Sequence, residues 1–213
     1  THFTVNNIEV FIKDGFLNKD IDFKRTVTKT LERIPSHLYN NVDSIYVGQF
    51  DFLKSMKMSA SYQDSAIFLS NEQEDEQDIY DDIIHEIGHA VEETYSSFVY
   101  ADRLIEKEFL LKRKRFKRDL RQSEIDVSGY DFLNVEYDVE FDKFLYSKVG
   151  YDRVRSITSS YYMSPYSVTS IREYFAEAFE KFYEGGDISL IKSMHPALYQ
   201  KIVKLTTGEQ DEI

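Results

Sequence analysis

The sequence predicts an α+β fold in which a small mixed sheet with helices precedes a mostly helical C-terminal lobe. Three observations lead to this prediction. Runs of β-branched and aromatic residues with strand character are confined to the first part of the chain. Apolar residues at helical spacing dominate the rest. Because no repeats or low-complexity linkers interrupt the 213 residues, we expect one domain, with lobes over residues 1–97 and 98–213.

The N-terminal lobe is expected to contain three strands, over residues 7–16, 42–50 and 66–70. Helical spacing predicts a helix over residues 21–34, which Pro35 ends. In the C-terminal lobe the same spacing predicts helices over residues 99–122, 130–148 and 167–186. A last helical region, residues 188–205, is interrupted at Pro196.

The segment His85-Glu86-Ile87-Gly88-His89 has the pattern H-E-x-x-H. It lies within an apolar stripe at helical spacing, formed by Ile79, Ile83, Ile84, Ile87 and Val91. Positions four apart share one face of a helix, so His85 and His89 can bind the same metal ion while Glu86 projects beside it. The alternative is two surface histidines on an ordinary amphipathic helix.

Two imidazoles do not complete a tetrahedral zinc site, which needs a third protein ligand and leaves the fourth position to water. Bound zinc lowers the pKa of that water, and Glu86 is placed to accept its proton. The pattern therefore predicts hydrolysis of a carbonyl compound, most often a peptide.

A carboxylate is the best candidate for the third ligand, because His2, His37 and His195 lack a helical partner pattern. Glu173 and Glu177 are four apart in the helix predicted over residues 167–186, beside an aromatic stripe. Carboxylates so close to buried rings are costly unless they are paired or metal-bound. One of them binding zinc and the other orienting a ligand histidine would explain both; the alternative is that both are solvated.

His85-Glu86-Ile87-Gly88-His89, followed by Glu173-Tyr174-Phe175-Ala176-Glu177-Ala178-Phe179, resembles the peptidase domain of anthrax lethal factor and the clostridial Pro-Pro endopeptidases. The resemblance covers about residues 40 to 200 and is specific at these two motifs. It implies a zincin-like metallopeptidase domain with one Zn²⁺ per chain, held by His85, His89 and Glu173. Glu177 would orient a ligand histidine, and Tyr166, beside Pro165, would stabilise the oxyanion.

Tyr166 also suits this role on chemical grounds, since a phenol hydroxyl can donate to developing negative charge. Tyr161 and Tyr162 are close enough to be rivals, and a packing role is the alternative. In zinc peptidases of this architecture the strand before the metal helix often forms an exposed edge. We therefore expect residues 66–70 to pair with the main chain of an extended substrate.

Composition limits the classes of partner. A net charge of −12 argues against general nucleic-acid binding. No apolar run is long enough for a membrane span, and the absence of cysteine excludes thiolate metal sites and disulfides. Members of the resembled family are mostly secreted bacterial proteins, so secretion is expected, with an intracellular or phage-associated location as the alternative.

Two charged segments have more than one interpretation. The acidic residues between 72 and 82 suit a solvated loop, a negative rim that favours basic substrates, or a calcium loop, although EF-hand spacing is missing. The basic run over residues 112–121 suits either an anionic partner or the solvated face of a helix.

These observations predict a zinc endopeptidase that acts on a protein or peptide substrate with narrow specificity. One rival is a catalytically inactive zincin-fold module that binds a partner within a larger assembly or toxin. Another is a metal-dependent hydrolase of non-peptide amides. The oligomeric state is not indicated by the sequence.

Overall fold

The computed structural model describes residues 1–209, which form an α+β structure with two compact units. Of the described residues, the first unit comprises Thr1–Thr94 with residues 205–209, and the second comprises Tyr95–Lys204. The sheet lies in the first unit and the second is helical, so the predicted α+β class is confirmed. Among residues 1–209, no helix has the length and apolar character to cross a bilayer.

Within its described residues, the first unit contains a mixed five-stranded sheet, three complete α-helices, a 3₁₀ turn (Ser36–Leu38) and the end of the last helix. Its elements are β1 (His2–Val5), β2 (Ile8–Ile12), α1 (Phe23–Arg33), β3 (Ser44–Gly48), α2 (Asp51–Met56), β4 (Ala60–Gln63), β5 (Ala66–Ser70) and α3 (Glu76–Thr94). The strand order is β1-β2-β3-β5-β4, with β2, β3 and β5 parallel and the two outer strands antiparallel to their neighbours.

Both outer strands belong to hairpins that the sequence analysis missed. Asn6 and Asn7 have φ values of 47° and 68°, and Asp64 and Ser65 have φ values of 48° and 63°. In a two-residue hairpin, two consecutive residues with left-handed backbone conformation form the turn whose twist matches that of the two strands. The strand expected over residues 7–16 is therefore the second arm of a hairpin and ends at Ile12.

The prediction that residues 66–70 form the sheet edge is wrong. β5 lies between β3 and β4, with Ile45 opposite Ile67 on one side and Tyr62 opposite Ile67 on the other. The edge strand next to α3 is β4, because the hairpin turn at Asp64-Ser65 brings this strand to the outside of β5.

The core of the first unit lies on one face of the sheet, where the side chains of alternate strand residues are fully buried: Val10, Ile45, Val47, Ile67 and Leu69. Helix α3 packs against α1, β4 and β5 through a stripe that is also fully buried: Ile79, Ile83, Ile84, Ile87 and Val91. Each such side chain contributes about 1.5–3 kcal/mol of burial free energy, and this packing fixes the rotation of α3.

The second unit contains α4 (Ser96–Tyr100), α5 (Leu104–Gln122), α6 (Val139–Lys143), a π-helical segment (Phe144–Val149), α7 (Tyr151–Thr158), α8 (Ile171–Tyr183), α9 (Ile188–Met194) and α10 (Pro196–Thr207), which ends in the first unit. Helix α5 contacts α4, α7 and α8. Its buried ring Phe109 lies 5.3 Å from Tyr174 of α8, between ring centroids.

The three helices predicted over residues 99–122, 130–148 and 167–186 are all shorter than expected, and the last of them is α8. The helix over residues 99–122 is divided, because Arg103 has a φ of 57° and interrupts it before Leu104. The helix over residues 130–148 begins only at Val139, where the Asp138 side chain accepts hydrogen bonds from the amides of Glu140 and Phe141. Asp138 thus acts as an N-cap that terminates the preceding loop.

Candidate metal centre

Helix α3 places His85, Glu86 and His89 as the spacing predicted. The two imidazole centroids lie 4.9 Å apart with the rings at 79°, and both side chains are half-buried. Two imidazoles on one helical face supply nitrogen donors of the kind that zinc takes. All three of these side chains belong to the single helix α3.

The acidic segment before the motif organises the start of α3. Asp75 accepts hydrogen bonds from the amides of Gln77 (2.8 Å) and Asp78 (3.1 Å), as an N-cap does. The two carboxylate oxygens of Glu76 accept hydrogen bonds from Nη2 of Arg25 in α1, at 2.9 and 3.0 Å. Asp75 and Glu76 of the acidic segment therefore have a structural role in the first unit.

Asp82, three residues before His85, is half-buried among polar neighbours. Its two carboxylate oxygens accept hydrogen bonds from Ser59 Oγ and Gln73 Nε2, both at 2.9 Å. Burial raises the pKa of Asp82 to about 6, although these hydrogen bonds oppose the shift. These hydrogen bonds connect Ser59, just before β4, and Gln73, just before α3, to the turn of α3 that precedes His85.

Glu86 is 5% exposed, and its Oε2 accepts a hydrogen bond of 2.6 Å from the backbone amide of Tyr62 in β4. A ladder bond runs from Ser70 N to Ser59 O. Donors alternate along an antiparallel strand, so the Tyr62 amide points away from β5. The amide of Tyr62, which points away from the sheet, therefore holds the carboxylate of Glu86, the expected base. The sequence analysis could not predict this contact because it missed the hairpin that contains β4.

In the second unit, α8 carries Glu173 and Glu177 at half-buried positions beside fully buried Phe175, Ala178 and Phe179. Helix α8 begins after Ser170, whose Oγ accepts a hydrogen bond of 3.2 Å from the amide of Glu173. The N-cap therefore lies three residues after the predicted start, and Glu173 lies in the first helical turn.

Tyr166 begins a short 3₁₀ turn, Tyr166–Val168, directly after Pro165. Its carbonyl accepts hydrogen bonds from the amide (2.9 Å) and hydroxyl (2.7 Å) of Thr169, and its amide donates to Ser164 Oγ at 3.1 Å. The backbone on both sides of this half-buried tyrosine is therefore held by local hydrogen bonds.

The rival tyrosines are engaged inside the second unit. The hydroxyl of Tyr161 donates to Asp119 Oδ2 at 2.9 Å. Tyr162 is 2% exposed and packs edge-on against Tyr174. Tyr166 is therefore the most accessible of the three.

Each of the other histidines contacts another group. His2 pairs with Glu9, His37 Nε2 lies 2.7 Å from Leu205 O, and buried His195 contacts Lys112 through Nδ1. Burial, assisted by the charge of Lys112, lowers the pKa of His195 to about 2. These contacts favour a carboxylate as the third ligand.

A scan against protein-family models, a search of curated proteins and a search of solved structures found no match to this chain.

Proposed function

We propose that this chain is a zinc-dependent endopeptidase with a zincin-like fold, in which His85, His89 and Glu173 bind one Zn²⁺. The observation that carries the proposal is the arrangement on α3, where two half-buried imidazoles flank a buried carboxylate. Two histidines and one glutamate form a ligand set typical of catalytic zinc, with a position left open for water.

Bound zinc would polarise the carbonyl and lower the pKa of water toward neutrality. Glu86 accepts the proton of the attacking water and passes it to the leaving amine, so that one peptide and one water give an acid and an amine. The hydrogen bond from the Tyr62 amide holds the Glu86 carboxylate in one orientation during both transfers.

Tyr166 donates a hydrogen bond from its hydroxyl to the negative charge that develops on the carbonyl oxygen. Hydrogen bonds on both sides hold its backbone, which supports this role because a residue with a fixed backbone loses less conformational entropy in the transition state. Glu177, one helical turn after Glu173, orients a ligand histidine in this proposal.

The proposed substrate is a protein or peptide bound in extended form. β4 is the edge strand that such a segment can join by main-chain pairing. The amide of Tyr62 is occupied by Glu86, so pairing has to use other outward groups of this strand.

The first test is the zinc content of the purified protein by elemental mass spectrometry, with Glu173→Ala, Glu177→Ala and Glu180→Ala beside it. We expect about one zinc per chain in the wild type, a loss in Glu173→Ala, and retention in Glu180→Ala. A loss in Glu177→Ala or Glu180→Ala, with retention in Glu173→Ala, would transfer the ligand role to that carboxylate.

The second test is cleavage of a randomised peptide library and a panel of small amides by the zinc-loaded protein. Cleaved peptides support the endopeptidase, and cleavage restricted to small amides would make the chain an amidase. A wild-type protein that neither contains nor takes up zinc would contradict the proposal and favour a binding or structural module.

A further inference from the structure

Two adjacent members of the basic run, Lys112 and Arg113, are buried in the second unit. They are 9% and 1% exposed, whereas Lys114, Arg118 and Arg121 on the same helix are exposed. Burying a cation costs several kcal/mol unless hydrogen bonds compensate for lost hydration. The solvated-face interpretation therefore does not apply to this pair.

Arg113 binds the backbone segment that joins Tyr166 to α8. Its Nε donates to Val168 O at 2.7 Å and its Nη2 donates to Thr169 O at 2.9 Å. The guanidinium lies 4.2 Å from the centroid of Phe141, which packs against it. Burial lowers the pKa of Arg113 to about 10, so the group remains charged at neutral pH. The fork fixes the carbonyl of Val168, the last residue of the turn that Tyr166 begins, and the carbonyl of Thr169, directly after that turn.

Lys112 binds the first turns of α8 through Tyr174, the neighbour of Glu173. Its Nζ contacts three acceptors: Tyr174 Oη (2.5 Å), His195 Nδ1 (2.5 Å) and Met194 O (2.7 Å). The Tyr174 hydroxyl donates to Glu108 Oε1 at 2.8 Å. A buried tyrosine with a fixed ring and a hydroxyl in such a network restricts the rotation of the helix that carries it.

The geometry points to a positioning role for both cations: Arg113 holds the turn that carries Tyr166, and Lys112, through Tyr174, holds the turn of α8 that carries Glu173. This inference rests on the proposed function, since it assigns the two residues to the oxyanion donor and the third zinc ligand. Both cations act through other residues of the second unit. Two consecutive residues of α5 thus serve two different parts of the reaction.

The two roles lead to different defects. Arg113→Met leaves zinc affinity within about twofold and lowers kcat by about 10- to 100-fold, since a small displacement of a catalytic group has this effect. Tyr174→Phe and Lys112→Met lower zinc affinity by about 10- to 100-fold, as loss of a group that supports a metal ligand does. Lys114→Met, on the exposed face of α5, changes neither quantity.

The experiment measures zinc affinity by competition with a chromogenic chelator, and kcat on a cleaved library peptide at saturating zinc. Arg113→Met is also combined with Tyr166→Phe in a double-mutant cycle. If Arg113 acts through the Tyr166 hydroxyl, the double variant is about as slow as Tyr166→Phe alone. Independent, additive losses in the cycle would overturn the assignment of Arg113, and unchanged zinc affinity in Tyr174→Phe and Lys112→Met would overturn that of Lys112.

A readout that needs neither zinc nor hydrolysis separates this inference from the proposed function. With 3-fluorotyrosine in place of Tyr166, the ¹⁹F resonance of the metal-free protein reports the conformation of the turn. We expect Arg113→Met to shift or broaden it and Lys114→Met to leave it unchanged; Arg113→Lys, which cannot form the fork, serves if Arg113→Met does not fold. An unchanged resonance contradicts the positioning role even in an active protein. A wild type without zinc or hydrolysis instead contradicts the proposed function.

Discussion

Glu86 is the residue whose replacement separates metal binding from catalysis most cleanly. Gln has nearly the same shape and can still accept the hydrogen bond from the Tyr62 amide, but it cannot take a proton from water. We expect Glu86→Gln to retain about one zinc per chain and to lower kcat by roughly 10²- to 10⁴-fold. Zinc content and library cleavage measure the two effects.

Glu93→Gln is a matched control for this prediction, because Glu93 is exposed on the same helix. It should resemble the wild type in both measurements. Near-normal turnover in Glu86→Gln would require another group to act as the base.

At the scale of elements, the hydrogen bond between β4 and α3 leads to a second prediction. Tyr62→Pro removes the backbone donor to Glu86, at an edge-strand position whose amide points away from β5 and where proline is tolerated. We expect unchanged zinc content and a fall in kcat of about 10- to 100-fold, because Glu86 is no longer held in place.

Tyr62→Ala is the control for the amide, since it removes the side chain and keeps the donor. Its kcat should remain close to that of the wild type. An equal loss in both variants would show that the ring of Tyr62, and not its amide, is needed.

The elements also show why one part of the candidate site could be predicted from the sequence and another could not. The placement of His85, Glu86 and His89 depends only on helical periodicity, which is a local property. The contact between Glu86 and Tyr62 depends on a hairpin whose Asp64-Ser65 turn is a weak sequence signal. The burial of Lys112 and Arg113 depends on Tyr174, Val168 and Thr169, more than fifty residues away, and spacing within α5 carries no information about such partners.

For the whole molecule, the buried histidine makes stability depend on pH. His195 is fully buried in the second unit, and burial, with the charge of Lys112, lowers its pKa from 6.5 to about 2. The unfolded chain therefore binds a proton near pH 6.5 that the folded chain does not. The stability that His195 contributes falls as the pH drops below 6.5, because protonation favours the state with the higher proton affinity.

The size of this effect can be stated for the window from pH 6.5 to 4.5. One such group removes about 2 kcal/mol of the free energy of unfolding across that interval. Burial lowers the pKa of Lys112 to about 7 from an ordinary value of 10.5, so Lys112 is largely charged in both states below pH 6.5 and adds little slope there. Asp82, whose pKa burial raises to about 6, takes up its proton in the folded state and opposes this loss, equally in the wild type and in a His195 variant. The difference between those two proteins is therefore assigned to His195.

We expect His195→Gln to reduce this dependence by about 2 kcal/mol, because glutamine does not titrate and its carbonyl can accept the hydrogen bond from Lys112. Urea unfolding at pH 6.5, 5.5 and 4.5, followed by circular dichroism, measures the difference between variant and wild type. His2→Gln removes an exposed histidine and should leave the wild-type dependence intact. Parallel curves for the wild type and His195→Gln would mean that His195 takes up its proton in the folded state, and that the Lys112–His195 contact opens in mild acid.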